Sequence, residues 1–303
     1  MEFESPTFFH ASVLVNESIN FLNISKNGIY VDATFGSGGH SRAILDADPT
    51  VTVVAIDWDR ISLEKYAPLL EQEYGKRFIP IFGNFAHLYK LLKNNGFARV
   101  NGILADFGTS QMQIQERPGF SIYRDMPLDM RMSLSHQKTT AAEVLNTASE
   151  KSLADIFYLY GQERFARKIA RAIIQDRDKR PFKTTKDLAD LVARIIPRQR
   201  QPRRIHPATK IFQALRIHVN NELANIGAFL KGAVGALAPS GRLVCISFHS
   251  LEDRLVKQFF KQCEESGTME IVTKKAIIPS PEEIRLNPSA RSAKLRAAAR
   301  ISQ

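Results

Sequence analysis

Cysteine is scarce in this 303-residue chain: Cys245 and Cys263 stand far apart, in no C-x-x-C arrangement. That excludes a disulfide framework and a cysteine-based zinc site, and it suits a reducing compartment. Long apolar runs are missing as well, none approaching the ~18 residues of a membrane-crossing helix. The N-terminal MEFESPTFFHASV is acidic where a secretory signal would be basic. A soluble cytoplasmic protein is expected. Internal repeats and long low-complexity segments are also lacking. What the chain does have is 44% hydrophobic residues, enough for a full core in one or two domains.

Positive charge is concentrated rather than spread. The formal net charge is +11, and residues 162–216 alone hold 16 Lys and Arg against 5 Asp and Glu. The remainder of the chain is therefore balanced. A solvated basic face would account for such a block, but its confinement to one segment points to a polyanionic partner.

Short aliphatic runs bounded by turn residues predict parallel strands at Ile29 to Ala33, Val51 to Ile56, Phe78 to Phe82 and Gly102 to Ala105. They are apolar throughout rather than alternating, as strands covered on both faces must be. A fifth run, Arg242 to Phe248, follows only after a long interruption rich in helical pattern. The expected organisation is an α/β domain formed by 1–111 and 207–303, with an inserted helical domain at 112–206. Within the insert, Glu163 to Gln175 predicts a helix with an apolar stripe of Phe165, Ile169 and Ile173. Arg164, Arg167, Lys168 and Arg171 repeat along its other face, and Arg198, Arg200, Arg203 and Arg204 follow in a proline-containing arm. These eight are candidate contacts to a phosphate backbone.

Asp32-Ala33-Thr34-Phe35-Gly36-Ser37-Gly38-Gly39-His40 follows the first strand directly and precedes a predicted helix. Glycines there let backbone approach a ligand, and the N–H groups of a helix start favour an anionic group. The dinucleotide fingerprint is not completed, because Ser41 stands where its third glycine belongs, which counts against NAD. Asp57 ends the second strand, where a carboxylate can accept both hydroxyl hydrogens of a ribose. Phe85 follows the third strand and could face adenine, and Asp106 ends the fourth. In an open parallel sheet these strand ends converge on one edge. Taken singly, Asp32, Asp57 and Asp106 could each be no more than a turn or helix cap.

The chain resembles the ribosomal small subunit methyltransferase H group, also called MraW, from His10 to Arg296. The resemblance is carried by His10-x-x-Val13-Leu14-Val15-x-Glu17, DATFGSGGHS at Asp32 to Ser41, and LDMRM at Leu128 to Met132. GQERFARKIARAI at Gly161 to Ile173, HPATKIFQALRIHVNNEL at His206 to Leu223, ISFHSLEDR at Ile246 to Arg254 and NPSARSAKLR at Asn287 to Arg296 complete it. It implies an α/β fold: a Rossmann-like class I methyltransferase domain with a parallel-rich sheet and an inserted all-helical domain. It further implies S-adenosylmethionine-dependent N4 methylation of a cytidine in the decoding region of 16S rRNA, within the small ribosomal subunit. By position, the family's cofactor contacts fall on Gly38, Gly39, His40, Asp57, Phe85, Asp106 and Gln113. The sequence departs from the usual pattern at Gln111, Pro118 and Ser289.

Methyl transfer from a sulfonium needs no metal. Cytosine N4 is a weak nucleophile, so the site must accept a hydrogen bond from the amine and take a proton. Asp106 is the first candidate, with binding of the cofactor's amine side as its alternative role. His249, with Ser247, follows the last strand and could contact the base or relay a proton, or be a structural histidine. Phe35 and Phe107 could face the sulfonium or a flipped base, or belong to the core. His218 and Asn220 read as packing or capping groups. The Asn/Asp-Pro-Pro-aromatic sequence of DNA amino-methyltransferases is absent after the fourth strand, where Asp106-Phe107-Gly108-Thr109 stands.

Overall fold

The computed structural model describes residues 12–108, 117–197 and 206–302. The chain divides into two compact units, Met1–Ser110 with Leu223–Gln303, and Gln111–Glu222.

In the first unit, helix α1 (Val15–Leu22) precedes strand β1 (Ile29–Asp32), then α2 (Gly39–Ala47), β2 (Thr52–Asp57), α3 (Arg60–Tyr74), β3 (Phe78–Phe82), α4 (Leu88–Asn94) and β4 (Val100–Asp106). The four strands predicted in this part are all present and mutually parallel, in the order β3-β2-β1-β4. Val31, Val53, Val54, Ile103 and Leu104 are fully buried, which is why these runs do not alternate. Chain order reverses between β1 and β4, and the edge outside that reversal is where ligands sit in doubly wound sheets.

The second unit is helical among its described residues: α5 (Ala141–Thr147), α6 (Glu150–Leu159), α7 (Ala166–Arg177), α8 (Thr185–Ile195) and α9 (Thr209–Asn220). Capping boxes start α5, from Thr140 and Glu143, and α8, from Thr184 and Asp187. Its core gathers Leu153, Phe157, Ile169, Ile173, Leu188 and Leu215. The predicted helix at Glu163 to Gln175 begins three residues later than expected, because Phe165 is its N-cap and Glu163 accepts the Phe165 N–H outside it.

The expected boundary at 206/207 also moves. Ile211, Phe212, Ala214 and Leu215 of α9 pack into the helical core, so this helix belongs to the second unit. The sequence predicts one helix over Pro207 to Leu230, but Asn221 takes a left-handed backbone at φ 50° and ends α9 there. Asn220 supplies a second reason. It is fully buried, accepts the Met132 N–H, and donates to the carbonyls of Met130 and Arg216, which clamps the Leu128 to Met132 motif to the end of α9.

Helix α10 (Glu222–Ala236) leads into β5 (Leu237–Ser247), then α11 (Ser250–Glu265), β6 (Met269–Ile271), α12 (Pro281–Leu286) and β7 (Lys294–Arg300). The complete sheet runs β3-β2-β1-β4-β5-β7-β6, with β7 antiparallel to both neighbours. This parallel-rich sheet, joined to a helical unit, is the α/β architecture that the resemblance implied. Among the described residues no helix is long and apolar enough to cross a membrane.

Candidate active site

Hydrogen bonds join the strand exits to one another. The Asp106 N–H donates to Thr34 Oγ1 at 2.7 Å, the Phe35 N–H to the Ile56 carbonyl at 3.0 Å, and the Gly83 N–H to the Asp57 carbonyl at 2.9 Å. The ends of β1, β2, β3 and β4 thus form one edge. The turn between β1 and α2 requires its glycines: Gly36 and Gly38 have φ of 56° and 85°, and a Cβ on Gly38 would lie 2.8 Å from the Phe35 ring. Gly39 and His40 open α2, where N–H groups have no carbonyl of their own helix to serve.

Asp32 resolves as a brace. It is fully buried, accepts the Thr34 N–H, and takes the Ser41 hydroxyl at 2.7 Å. The serine that breaks the dinucleotide fingerprint therefore holds the root of the turn. Burial raises the Asp32 pKa, while nearby His40 and these hydrogen bonds oppose the rise. His40 is itself buried, with Nε2 3.0 Å from the Val13 carbonyl oxygen. Its side chain is committed to packing, so what it offers at the edge is its backbone N–H.

Asp57 is held differently. Each carboxylate oxygen takes one backbone donor, Gly36 N–H on Oδ2 at 2.7 Å and Asp59 N–H on Oδ1 at 2.8 Å. Burial nevertheless pushes its pKa up to about 7, against those two bonds. A buried carboxylate in this condition gains from further hydroxyl donors, and each oxygen retains a lone pair to accept one. Asp106 is similar: burial raises its pKa to about 6, opposed by His40 and by the Gly108 N–H at 3.0 Å.

Aromatic rings surround Phe85. Trp58 lies 6.2 Å away, Phe107 6.0 Å and Phe229 of α10 5.6 Å, centroid to centroid. Phe107 is nearly buried and Phe35 is buried, so core packing accounts for much of both. His249 starts α11 through a capping box with Glu252, its Nδ1 accepting the Glu252 N–H at 3.4 Å. Nε2 lies 3.1 Å from Glu252 Oε1 but outside hydrogen-bonding alignment. These contacts are those of a helix-starting histidine. Gln113, Arg198, Arg200, Arg203 and Arg204 lie outside the described residues.

Sequence reasoning did not single out Thr34 as the link between β1 and β4, although it sits in the glycine-rich segment. Phe229 gave no signal at all, because one phenylalanine in an apolar helix is indistinguishable from its neighbours.

In the helical unit, Arg164, Arg167, Lys168 and Arg171 are all exposed, while Ile169 and Ile173 of α7 are fully buried. Like-charge pairs at helical spacing cost a few tenths of a kcal/mol each, whereas burying one isoleucine contributes about 1.5–3 kcal/mol. Burial wins, and the helix can carry an unbalanced face. Arg171 pairs with Glu150 at 3.4 Å in an exposed contact worth little. His218, half-buried, stacks on Tyr160, and burial lowers its pKa.

Known proteins of similar sequence bear on this site. The profile of the MraW methylase family matches residues 7–301. A protein of Carboxydothermus hydrogenoformans named ribosomal RNA small subunit methyltransferase H is 46% identical over 312 residues, covering 97% of this chain and 99% of its own. Proteins of the same name from a Cyanothece species and from Bradyrhizobium diazoefficiens are 50% and 46% identical. They cover 98% and 97% of this chain and 96% and 92% of their own.

Proposed function

The chain belongs to the MraW methylase family, and on that premise we propose that it methylates the exocyclic N4 amine of a cytidine in the decoding region of 16S rRNA, in the cytoplasm, on the small ribosomal subunit. The observation that carries the reading is a pair of buried carboxylates of raised pKa, Asp57 and Asp106, at the exits of β2 and β4 beside a glycine-rich helix start.

When bound, S-adenosylmethionine supplies an electrophilic methyl group on a sulfonium. Asp57 would hold the ribose hydroxyls on its two free lone pairs. The N–H groups of Gly39 and His40 stand at the helix start, where a carboxylate is favoured, while Gly38 gives its own N–H to the Phe35 carbonyl at 2.8 Å and, lacking a side chain, lets a ligand come close to the turn. Phe85, backed by Trp58 and Phe229, gives adenine an aromatic wall. The family pattern adds Gln113 to these contacts.

Asp106 carries the chemistry on the substrate side. The N4 lone pair is delocalised into the ring, and a carboxylate accepting one amine hydrogen makes the nitrogen a better nucleophile and takes the proton as the bond forms. A pKa of about 6 keeps Asp106 ionised at neutral pH while leaving it basic enough for this step. His249 caps α11 through Nδ1, which leaves Nε2, buried and without a hydrogen-bond partner among the described residues, as the atom that would contact the base or relay a proton. Arg164, Arg167, Lys168 and Arg171 would bind backbone phosphates, joined by Arg198, Arg200, Arg203 and Arg204. Such contacts position the RNA without reading its sequence. A target cytosine stacked in RNA must swing out to be reached, so substrate structure would matter.

The test is transfer of labelled methyl from S-adenosylmethionine to small subunits from cells lacking the protein, followed by mass spectrometry of the 16S rRNA. Label on a decoding-region cytidine N4 is expected, and binding of the subunits without any transfer would refute the reading.

A further inference from the structure

A cleft of about 320 Å³ opens in the sheet-bearing unit beyond the end of β5. Its walls include Phe248, Ile278, Ile284, Arg291 and Lys294, none of which the cofactor reading uses. Its position, its charge and its mixed lining point the same way.

Position comes first. β5 runs parallel to β4 with Ile246 opposite Asp106, so Phe248 stands just past the level of Asp106 on the same sheet edge. The contact is also lateral. A Cβ built on Gly108 would come within 2.6 Å of the Phe248 ring, so this ring lies directly against backbone two residues after Asp106 while also lining the cleft.

Charge is next. Lys294 and Arg296 share the single carboxylate of Asp253, at 3.5 and 2.7 Å. Arg291 is exposed, and it forms no ion pair among the described residues. The two cations lining the cleft are therefore less than neutralised. Finally, Ile278 is 66% exposed beside them. Apolar and aromatic surface next to uncompensated cations suits a nucleotide, whose base can lie against the former and whose phosphate against the latter. The volume is at the lower end of small-ligand sites, sufficient for a single unit of a chain rather than a folded segment.

We propose that this cleft seats one nucleotide of the RNA neighbouring the cytidine that is methylated, with its phosphate on Arg291 and Lys294 and its base against Phe248 and Ile278. The proposal rests on the methyltransferase reading above and names how that site takes hold of its substrate. Phe248 then couples the neighbouring nucleotide to the segment that carries Asp106.

Arg291→Glu and Ile278→Asp test it in the full-length protein, alongside Lys90→Glu on α4 as a charge reversal elsewhere in the same unit. The probe is a short single-stranded 16S-derived oligonucleotide, titrated at several salt concentrations. Arg291→Glu should weaken binding about tenfold and flatten the dependence of log K on log salt by about 0.7, the contribution of one phosphate contact. Ile278→Asp, which replaces the apolar wall with a charge that repels phosphate, should raise the KM for small subunits about tenfold, with S-adenosylmethionine affinity unchanged, and Arg291→Lys should restore most of the binding lost in Arg291→Glu. RNA affinity and KM left intact by Arg291→Glu and Ile278→Asp, or altered no more than by Lys90→Glu, would overturn the proposal. If wild-type protein binds the oligonucleotide but transfers no methyl to small subunits from cells lacking the protein, the methyltransferase reading fails while the binding titration still decides the cleft.

Discussion

The glycine-rich edge of the sheet and the cationic face of α7 solve opposite physical problems. At the edge, charge is buried and held by backbone: Asp57 and Asp106 each accept main-chain N–H groups and still have raised pKa values. On α7, charge is exposed, carried on long side chains, and balanced by little more than Glu150. Chemistry at an amine needs a desolvated group of set position and tuned basicity, whereas attraction to a phosphate chain needs only accessible cations. The first region should therefore be intolerant of single changes and the second tolerant of them.

The contrast is most exposed to failure at Asp106. Asp106→Asn preserves shape but removes the base, and the single-turnover rate of methyl transfer should fall by about 10²–10⁴, with RNA affinity retained. A rate close to wild type would leave Asp106 with a binding role only. Next, Asp57→Ala removes the acceptor for two hydroxyls and should weaken S-adenosylmethionine binding on the order of a hundredfold by calorimetry. A normal Kd would displace the ribose from this carboxylate.

The pH dependence sharpens the same point. Burial raises the Asp57 pKa to about 7, and hydroxyl donors bind its ionised form. Below pH 7 binding must first remove a proton, so S-adenosylmethionine affinity should rise about tenfold per pH unit as pH climbs toward 7 and level off above it. The stability effect has the opposite sense. With its folded pKa raised above the unfolded value, Asp57 favours the folded state at low pH, and that contribution is lost as pH rises through about 7. An Asp57→Asn variant should show neither trend in affinity nor its share in stability. The smallest effect belongs to α7: Arg167→Glu or Arg171→Glu should each weaken RNA binding severalfold, less at high salt, with S-adenosylmethionine affinity unaltered. An effect as large as that of Asp57→Ala on the cofactor would erase the distinction.

Legibility in the sequence followed the same division. Strands β1 to β4 were readable because residues such as Val53, Val54 and Ile103 must be apolar on both faces. Strand β7 was not, since KLRAAAR buries small alanines among basic residues and carries no β-branched signal. The three residues of β6 are too few to show a period. Asp57 and Asp106 were legible as strand-end carboxylates, but Asp32 looked the same in sequence and proved to be an internal brace, a distinction set by Ser41 and Thr34 in space. The end of α9 escaped because an apolar period continues across Asn221 while the backbone turns there.

One bond has consequences for kinetics. Because Thr34 Oγ1 takes the Asp106 N–H and Asp32 fixes the far end of the same turn, the loop has no slack to take up when a ligand arrives. Amide hydrogens at Phe35, Gly36 and Asp106 should already exchange slowly with solvent deuterium in the free protein. Added protection on binding should fall on Gly39 and His40, whose amides point from a helix start with nothing in the helix to receive them. Entry of the donor molecule would then resemble a key meeting a cut lock, its rate set by encounter rather than by reshaping of the protein.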